Sequence, residues 1–283
     1  MRRFGVSTHL YHARRLERDH LLEIAAGGFD AVEVFATRSH FDYHDGAAID
    51  ALATWLREAR LELHSIHAPV VEGLTTDDRW GQPFYNATRD ERTRRAAVGE
   101  AEAALAIARR IPVRFLVVHL GTPSALNPGP DDNDRTAAAR TVREIHALAS
   151  PLGVRVALEV IPNDLSTPAA LVGLIEDELE LPDVGICLDF GHAVLMGDPL
   201  DAIEAVAGHV TTTHVHDNRG KADDHLVPFE GGLDWPSALM AMQKIGYDGL
   251  YMLELQNTGT ARAVLDKARA ARRRLEEFLG AEC

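Results

Sequence analysis

The chain has 283 residues, 46% of them hydrophobic and 25% charged, enough apolar material for a large core and too much for an intrinsically disordered polypeptide. Its 29 Lys and Arg against 43 Asp and Glu give a formal net charge of −14, which disfavours nucleic acid and anionic lipid as partners. The arginine clusters Arg92, Arg94, Arg95 and Arg272, Arg273, Arg274 lie in acidic or alanine-rich sequence of helical period and read as solvated helix faces.

Two cysteines occur, Cys187 in an apolar run and Cys283 at the terminus, and they form neither a disulfide framework nor a Cys-x-x-Cys pair. The opening MRRFGVSTHLYH is too short and too polar for a signal peptide. No apolar run reaches the length of about 18 residues that a membrane span requires. These features predict a soluble, cytoplasmic protein with no membrane partner.

In chain order, eight short runs read as strands: RFGVSTHL, AVEVFA, LELHSIHAP, RFLVVHLG, RVALEVIP, VGICLDFGH, HVTTTHVHDN and LYMLELQ. Each is rich in β-branched or aromatic residues and bounded by Gly, Pro, Asp or Asn. Between them lie segments of helical period such as RDHLLEIAAGG, DALATWLREAR, ERTRRAAVGEAEAALAIARR and DRTAAARTVREIHALASPLG. Strict alternation implies a parallel sheet, and eight units in a chain of this length predict a single α/β domain over residues 1–283, a (β/α)8 TIM barrel. A doubly wound open sheet is the rival, disfavoured because no Gly-x-Gly-x-x-Gly follows the first strand. The long interruption after the third run, VEGLTTDDRWGQPFYNATRDER, reads as a surface loop or lid carrying Trp80, Phe84 and Tyr85.

The ends of the runs carry His9, Glu33, His64 and His67, His119, Glu159, Asp189 followed by His192, His214 and His216, and Glu254. In a TIM barrel the C-terminal strand ends converge, so these groups are expected to share one site. Strand alternation sends His214 and His216 to the same side, and inward is favoured because two outward imidazoles would need partners in an apolar shell. Converging carboxylates need a compensating cation, and His with Asp and Glu but without Cys suits Zn2+ or Mn2+ better than Mg2+. The alternative is a hydrogen-bonded polar plug without an ion.

The stretches IHAPV, VVHLG, ALEVIP, CLDFGHA, HVHDNRGKADDHLVPFEGGLDW and LELQ, in that order over residues 66–256, resemble the xylose isomerase-like barrel superfamily. That superfamily includes sugar phosphate isomerases and epimerases and endonuclease IV. The resemblance implies metal ligands at Glu159, Asp189, His214 and Glu254, holding Zn or Mn, with Mg or Co as alternatives. His192 would contact substrate or a further metal, and His216 becomes a neighbouring or substrate-binding group. The extra ligands of a three-metal endonuclease IV-like site are matched by His67, His119, His192, Asp223 and His225, so one to three ions per chain are expected.

Two activities follow from the resemblance. The first is isomerisation or epimerisation of a small sugar, sugar phosphate or polyol through a metal-stabilised enediolate. Glu159, Glu254 and His192 would be catalytic, and His67, His119, His216 and Arg219 would contact the substrate. The Glu-x-Lys of hydride-shifting xylose isomerases is absent, since the sequence reads Glu159-Val160-Ile161, which favours proton transfer. The second is a multi-zinc phosphodiesterase or abasic-site endonuclease, against which the acidity of the chain stands. A non-catalytic sugar-binding barrel needs no metal at all. The identity of the sugar and the formation of a homo-oligomer are left open.

Overall fold

Carboxylate and hydroxyl caps set the helix starts. Asp45, Asp90, Asp134 and Thr167 each accept a backbone N–H from the first turn of the helix that follows. A computed structural model describes residues 3–74 and 80–280. Eight strands, β1 (Phe4–Ser7), β2 (Ala31–Phe35), β3 (Glu62–His67), β4 (Phe115–Val118), β5 (Arg155–Glu159), β6 (Gly185–Asp189), β7 (Val210–Val215) and β8 (Tyr251–Leu253), close into one parallel barrel in sequence order. Helices surround it: α1 (Arg18–Ala26), α2 (Gly46–Ala59), α3 (Glu91–Ala104), α4 (Arg135–Ala149), α5 (Pro168–Leu174), α6 (Phe190–Met196), α7 (Pro199–Ala205), α8 (Trp235–Lys244) and α9 (Ala261–Gly280). The expected TIM barrel is therefore the architecture observed. No described helix is long and apolar enough to cross a membrane.

Alternation along the strands divides the core. Leu116, Val118, Val156, Leu158, Ile186 and Leu188 join the large apolar cluster shared with the helices. The residues between them, Phe115, Val117, Ala157 and Cys187, form a separate cluster. Two residues farther along the same face stand His119, Glu159 and Asp189, so the inward series turns from apolar to ionisable at the C-terminal ends of the strands.

Two register shifts modify this period. Between β2 and β3 the pairing passes from Val32↔Leu63 to Glu33↔Ser65, which leaves His64 as an extra residue. That bulge lets His64 and His67, three apart, both enter the barrel interior. A second shift, from Ile186↔Val210 to Cys187↔Thr212, leaves Thr211 extra in β7. Two sequence expectations on element ends also change: His9 lies on a 3-10 turn (Thr8–Tyr11) after β1, and His192 lies in the first turn of α6.

Candidate metal centre

Glu159 ends β5, Asp189 ends β6, His214 is the penultimate residue of β7 and Glu254 directly follows β8, all fully or almost fully buried. One donor atom from each lies within 4.8 Å of the others. Nδ1 of His214 stands 3.1 Å from Glu159 Oε1, 3.3 Å from Glu254 Oε2 and 3.9 Å from Asp189 Oδ2. The other Glu159 oxygen faces Nε2 of His119 at 3.0 Å and of His67 at 3.3 Å. A third group gathers His192, His216, Asp223 and His225 within the same 4.8 Å limit.

Backbone hydrogen bonds fix which nitrogen of each ring carries the proton. A carbonyl only accepts, so Nδ1 of His67 donates to Ala68 O (2.9 Å), Nδ1 of His192 to Val160 O (3.0 Å) and Nδ1 of His225 to Glu254 O (3.1 Å). A neutral ring then aims the Nε2 lone pair of His192 and His225 at one oxygen, Asp223 Oδ2, each at 3.1 Å. Lone pairs aimed at a carboxylate repel unless a proton or a metal ion lies between them. Both Glu159 oxygens and Nδ1 of His214 are buried with no hydrogen-bond partner among the described residues. Unpartnered buried acceptors around shared points, in an imidazole and carboxylate donor set, fit a divalent cation such as Zn2+ or Mn2+.

Electrostatics point the same way. Burial opposes charge on every one of these groups, yet the surrounding carboxylates overcome it and raise His67 and His225 to about 9, with His192 and His214 also well above their ordinary value. Burial likewise opposes ionisation of Glu159, and the imidazoles led by His214 and His119 hold it well below the usual carboxylate range. The centre is built to gather positive charge.

Each ligand is held from behind. Asp189 caps α6 by accepting the His192 N–H at 2.7 Å, so one carboxylate serves the centre and aims the helix that carries His192. A Cβ on Gly191 would collide with the His216 ring, which explains glycine between Phe190 and His192. His216 Nε2 donates to Asp189 at 3.0 Å, and both His214 and His216 enter the interior as their spacing predicts. Asp217 accepts from the backbone of Asn218, Phe229 and Leu233 and from the Trp235 indole, which ties down the loop between β7 and α8 that brings in Asp223 and His225. His225 itself adopts a left-handed backbone (φ 44°), a conformation costing a non-glycine residue roughly 1–2 kcal/mol.

Glu33 has a position that the sequence left without a role. Nε2 of His214 donates to its Oε2 at 3.1 Å and Ser65 donates to the same oxygen at 2.8 Å. Burial works against its ionisation, but His214 brings the carboxyl down to about 2. The contact leaves Nδ1 of His214 free to face the ligand carboxylates. The available signal was a lone carboxylate inside the apolar run AVEVFA.

Some expected residues lie outside the three donor groups. Arg219 is exposed, with its guanidinium 3.8 Å from Asp224, and the structure does not bring it to the cluster. His64 lies deeper, on Thr212 (3.1 Å), and His9 packs beside His225 at a ring spacing of 4.8 Å. In the loop after β3, Val71 pairs with Pro83 and Leu74 with Trp80, and Trp80 stacks on His12 at 5.2 Å. Phe84 and Tyr85 are half-buried.

Comparison with known proteins agrees with this architecture. The family described as xylose isomerase-like TIM barrel matches residues 21–278. The inosose isomerase of Bacillus velezensis is 22% identical over 81% of this chain and 79% of its own. A D-tagatose 3-epimerase-like protein superposes with a TM-score of 0.79 at 26% identity, covering 99% of this chain and 97% of that one. The IOLI protein, solved with a zinc atom bound, gives 0.77 at 17% identity, with 99% and 100% covered. The chain belongs to the xylose isomerase-like TIM barrel family.

Proposed function

We propose that the protein is a divalent-metal-dependent isomerase or epimerase of a small sugar or sugar-like polyol. Its carrying observation is the convergence of two buried carboxylates, from β5 and from the end of β8, on Nδ1 of His214 at 3.1 and 3.3 Å, with both Glu159 oxygens lacking hydrogen-bond partners among the described residues. The inosose isomerase relative and the zinc bound by a structural neighbour support the same reading. Glu159, Asp189, His214 and Glu254 would hold Zn2+ or Mn2+.

A divalent ion bound there would draw electron density from a substrate carbonyl and its neighbouring hydroxyl, which acidifies the C–H between them. Glu159 and Glu254 come from different strands, so one takes that proton and the other delivers a proton to the product. His192, fixed by Val160 O, binds a substrate oxygen. The chain supplies no lysine two residues after Glu159, where Ile161 stands, so proton transfer is favoured over hydride shift. Ketose turnover in D2O tests the assignment. Solvent deuterium is expected at the carbon next to the carbonyl, and Glu159→Gln and Glu254→Gln are expected to abolish its incorporation. Product free of deuterium from active wild-type enzyme contradicts it.

One observation favours a second reading, metal-dependent phosphoester hydrolysis. Glu159 divides its two oxygens between two groups of imidazoles, and the group at Asp223 adds a third, a donor supply suited to several ions. About three tightly bound zinc ions per chain with hydrolysis of bis(p-nitrophenyl) phosphate support this reading, whereas one exchangeable ion without hydrolysis supports the isomerase.

A further inference from the structure

Five rings form one column across the barrel mouth. Trp80 stacks on His12 at 5.2 Å, His12 on His9 at 4.6 Å, His9 packs against His225 at 4.8 Å, and His225 stacks on His216 at 4.0 Å. They come from the loop after β3, the turn after β1, the loop between β7 and α8 and the residue directly after β7. None of β1, β3 and β7 pairs with another of the three, so the column joins segments that the sheet keeps apart. Its central member, His9, is buried and supplies no donor atom to the three candidate metal groups.

His225 is the member that needs support. Its left-handed backbone (φ 44°) is a conformation that a non-glycine residue keeps only where its surroundings hold it. Its Nε2 lone pair must also meet Asp223 Oδ2 at 3.1 Å, beside that of His192 at the same distance. The end of β8 fixes part of this: Gln256 N donates to His225 O at 2.9 Å, and His225 Nδ1 donates to Glu254 O at 3.1 Å. The faces of the ring are left to packing, and they meet His216 and His9. His9 is itself oriented from the next carbonyl of the same segment, since its Nδ1 donates to Leu255 O at 3.2 Å. Successive carbonyls after β8 thus set two facing imidazoles against each other, and His12, whose Nδ1 donates to His9 O at 2.8 Å, stacks on the pair.

We propose that His9 is a positioning residue of the outer donor group, holding the His225 ring so that its Nε2 faces an ion shared with His192, His216 and Asp223. The ring face acts on His225, and the Nδ1 bond only orients it. The inference rests on that group taking up a divalent cation and on neither reading of the reaction.

Zinc competition against a chromophoric chelator, with elemental analysis, compares wild type with His9→Ala, His9→Gln and His9→Phe. The ion lost on Asp223→Asn identifies the outer group. His9→Ala and His9→Gln are expected to weaken that ion about tenfold or more, with the ion at Glu159 and the urea midpoint of the metal-free protein unchanged. His9→Phe, which keeps a ring and gives up the Nδ1 donor, should recover most of the loss. A merely structural role would instead weaken both ions or shift the urea midpoint alone. Equal outer-ion affinity in wild type and His9→Ala overturns the inference, as does a His9→Phe protein as weak as His9→Gln. Wild-type protein that holds no ion sensitive to Asp223→Asn also overturns it, and leaves the isomerase reading with its single ion standing.

Discussion

His64 and His67 stand three residues apart on one strand, and both are buried inside the barrel, yet they behave as opposites. Burial lowers His64 to about 4, and the more distant charge of Glu33 does not reverse it. At His67 the same burial penalty is overcome by Glu159, 3.3 Å away, and the imidazole rises to about 9. The lower layer, where His64 meets Thr212, keeps its imidazole neutral, while the mouth gathers positive charge. One layer of side chains thus separates packing from chemistry, and what decides is the carboxylate two residues beyond Ala157 on β5.

Removing that carboxylate is the most severe way to erase the contrast. Glu159→Gln should lower turnover by about 10^3-fold or more and strip the bound ion, because the side chain serves two groups of donors. Steady-state rates and metal content of the purified variant check both effects.

Acid tests the histidines that burial keeps neutral. His64 and His40 are each held at about 4 when folded, first by burial, against 6.5 for the free group. Their folded values lie below their unfolded ones, so the stability they lend is present above pH 6.5 and is lost as pH falls toward 4. The shift corresponds to up to about 3 kcal/mol each. Urea melts across that window should show the loss, and a His40→Gln variant should show a shallower one.

Glu33→Ala probes the support of the mouth from below. Without it His214 loses the acceptor that fixes its tautomer, and metal affinity should fall about 10- to 100-fold while the fold persists. Asp223→Asn should act more locally. Its side chain is 40% exposed and lies on a loop, so zinc uptake at the outer group is expected to weaken about tenfold while uptake at Glu159 stays. Competition with a chromophoric chelator measures both. Arg219→Gln should change turnover less than about twofold, because the guanidinium faces Asp224 at the exposed rim.

The strand-borne part of this design was legible in the sequence. Glu159, Asp189, His214 and Glu254 each end or nearly end a run of recognisable period, and parallel strands bring such ends together whatever their separation along the chain. His192 was legible through the family resemblance, and its place three residues after Asp189 is the spacing that a capped first helical turn brings into contact. What the sequence hid depends on exceptions to periodicity. A period of two cannot place both His64 and His67 in the interior, and only the register shift opposite Val32 and Glu33 does so. Glu33 was visible as a charge in an apolar strand, but its partner lies 181 positions away, and nothing local names it. Arg219 is harder to place from sequence: it stands beyond β7 in a loop whose course is set by hydrogen bonds to Asp217, and strand spacing carries no information about where such a loop turns.

Elemental analysis of wild-type and Glu159→Gln protein, purified without chelator and dialysed against metal-free buffer, most directly tests whether side chains from separate strands hold a cation at this mouth. At least one equivalent of zinc or manganese per wild-type chain, lost in the variant, is the predicted result. Wild-type protein without a stoichiometric divalent ion that also fails to take up added zinc or manganese would contradict it.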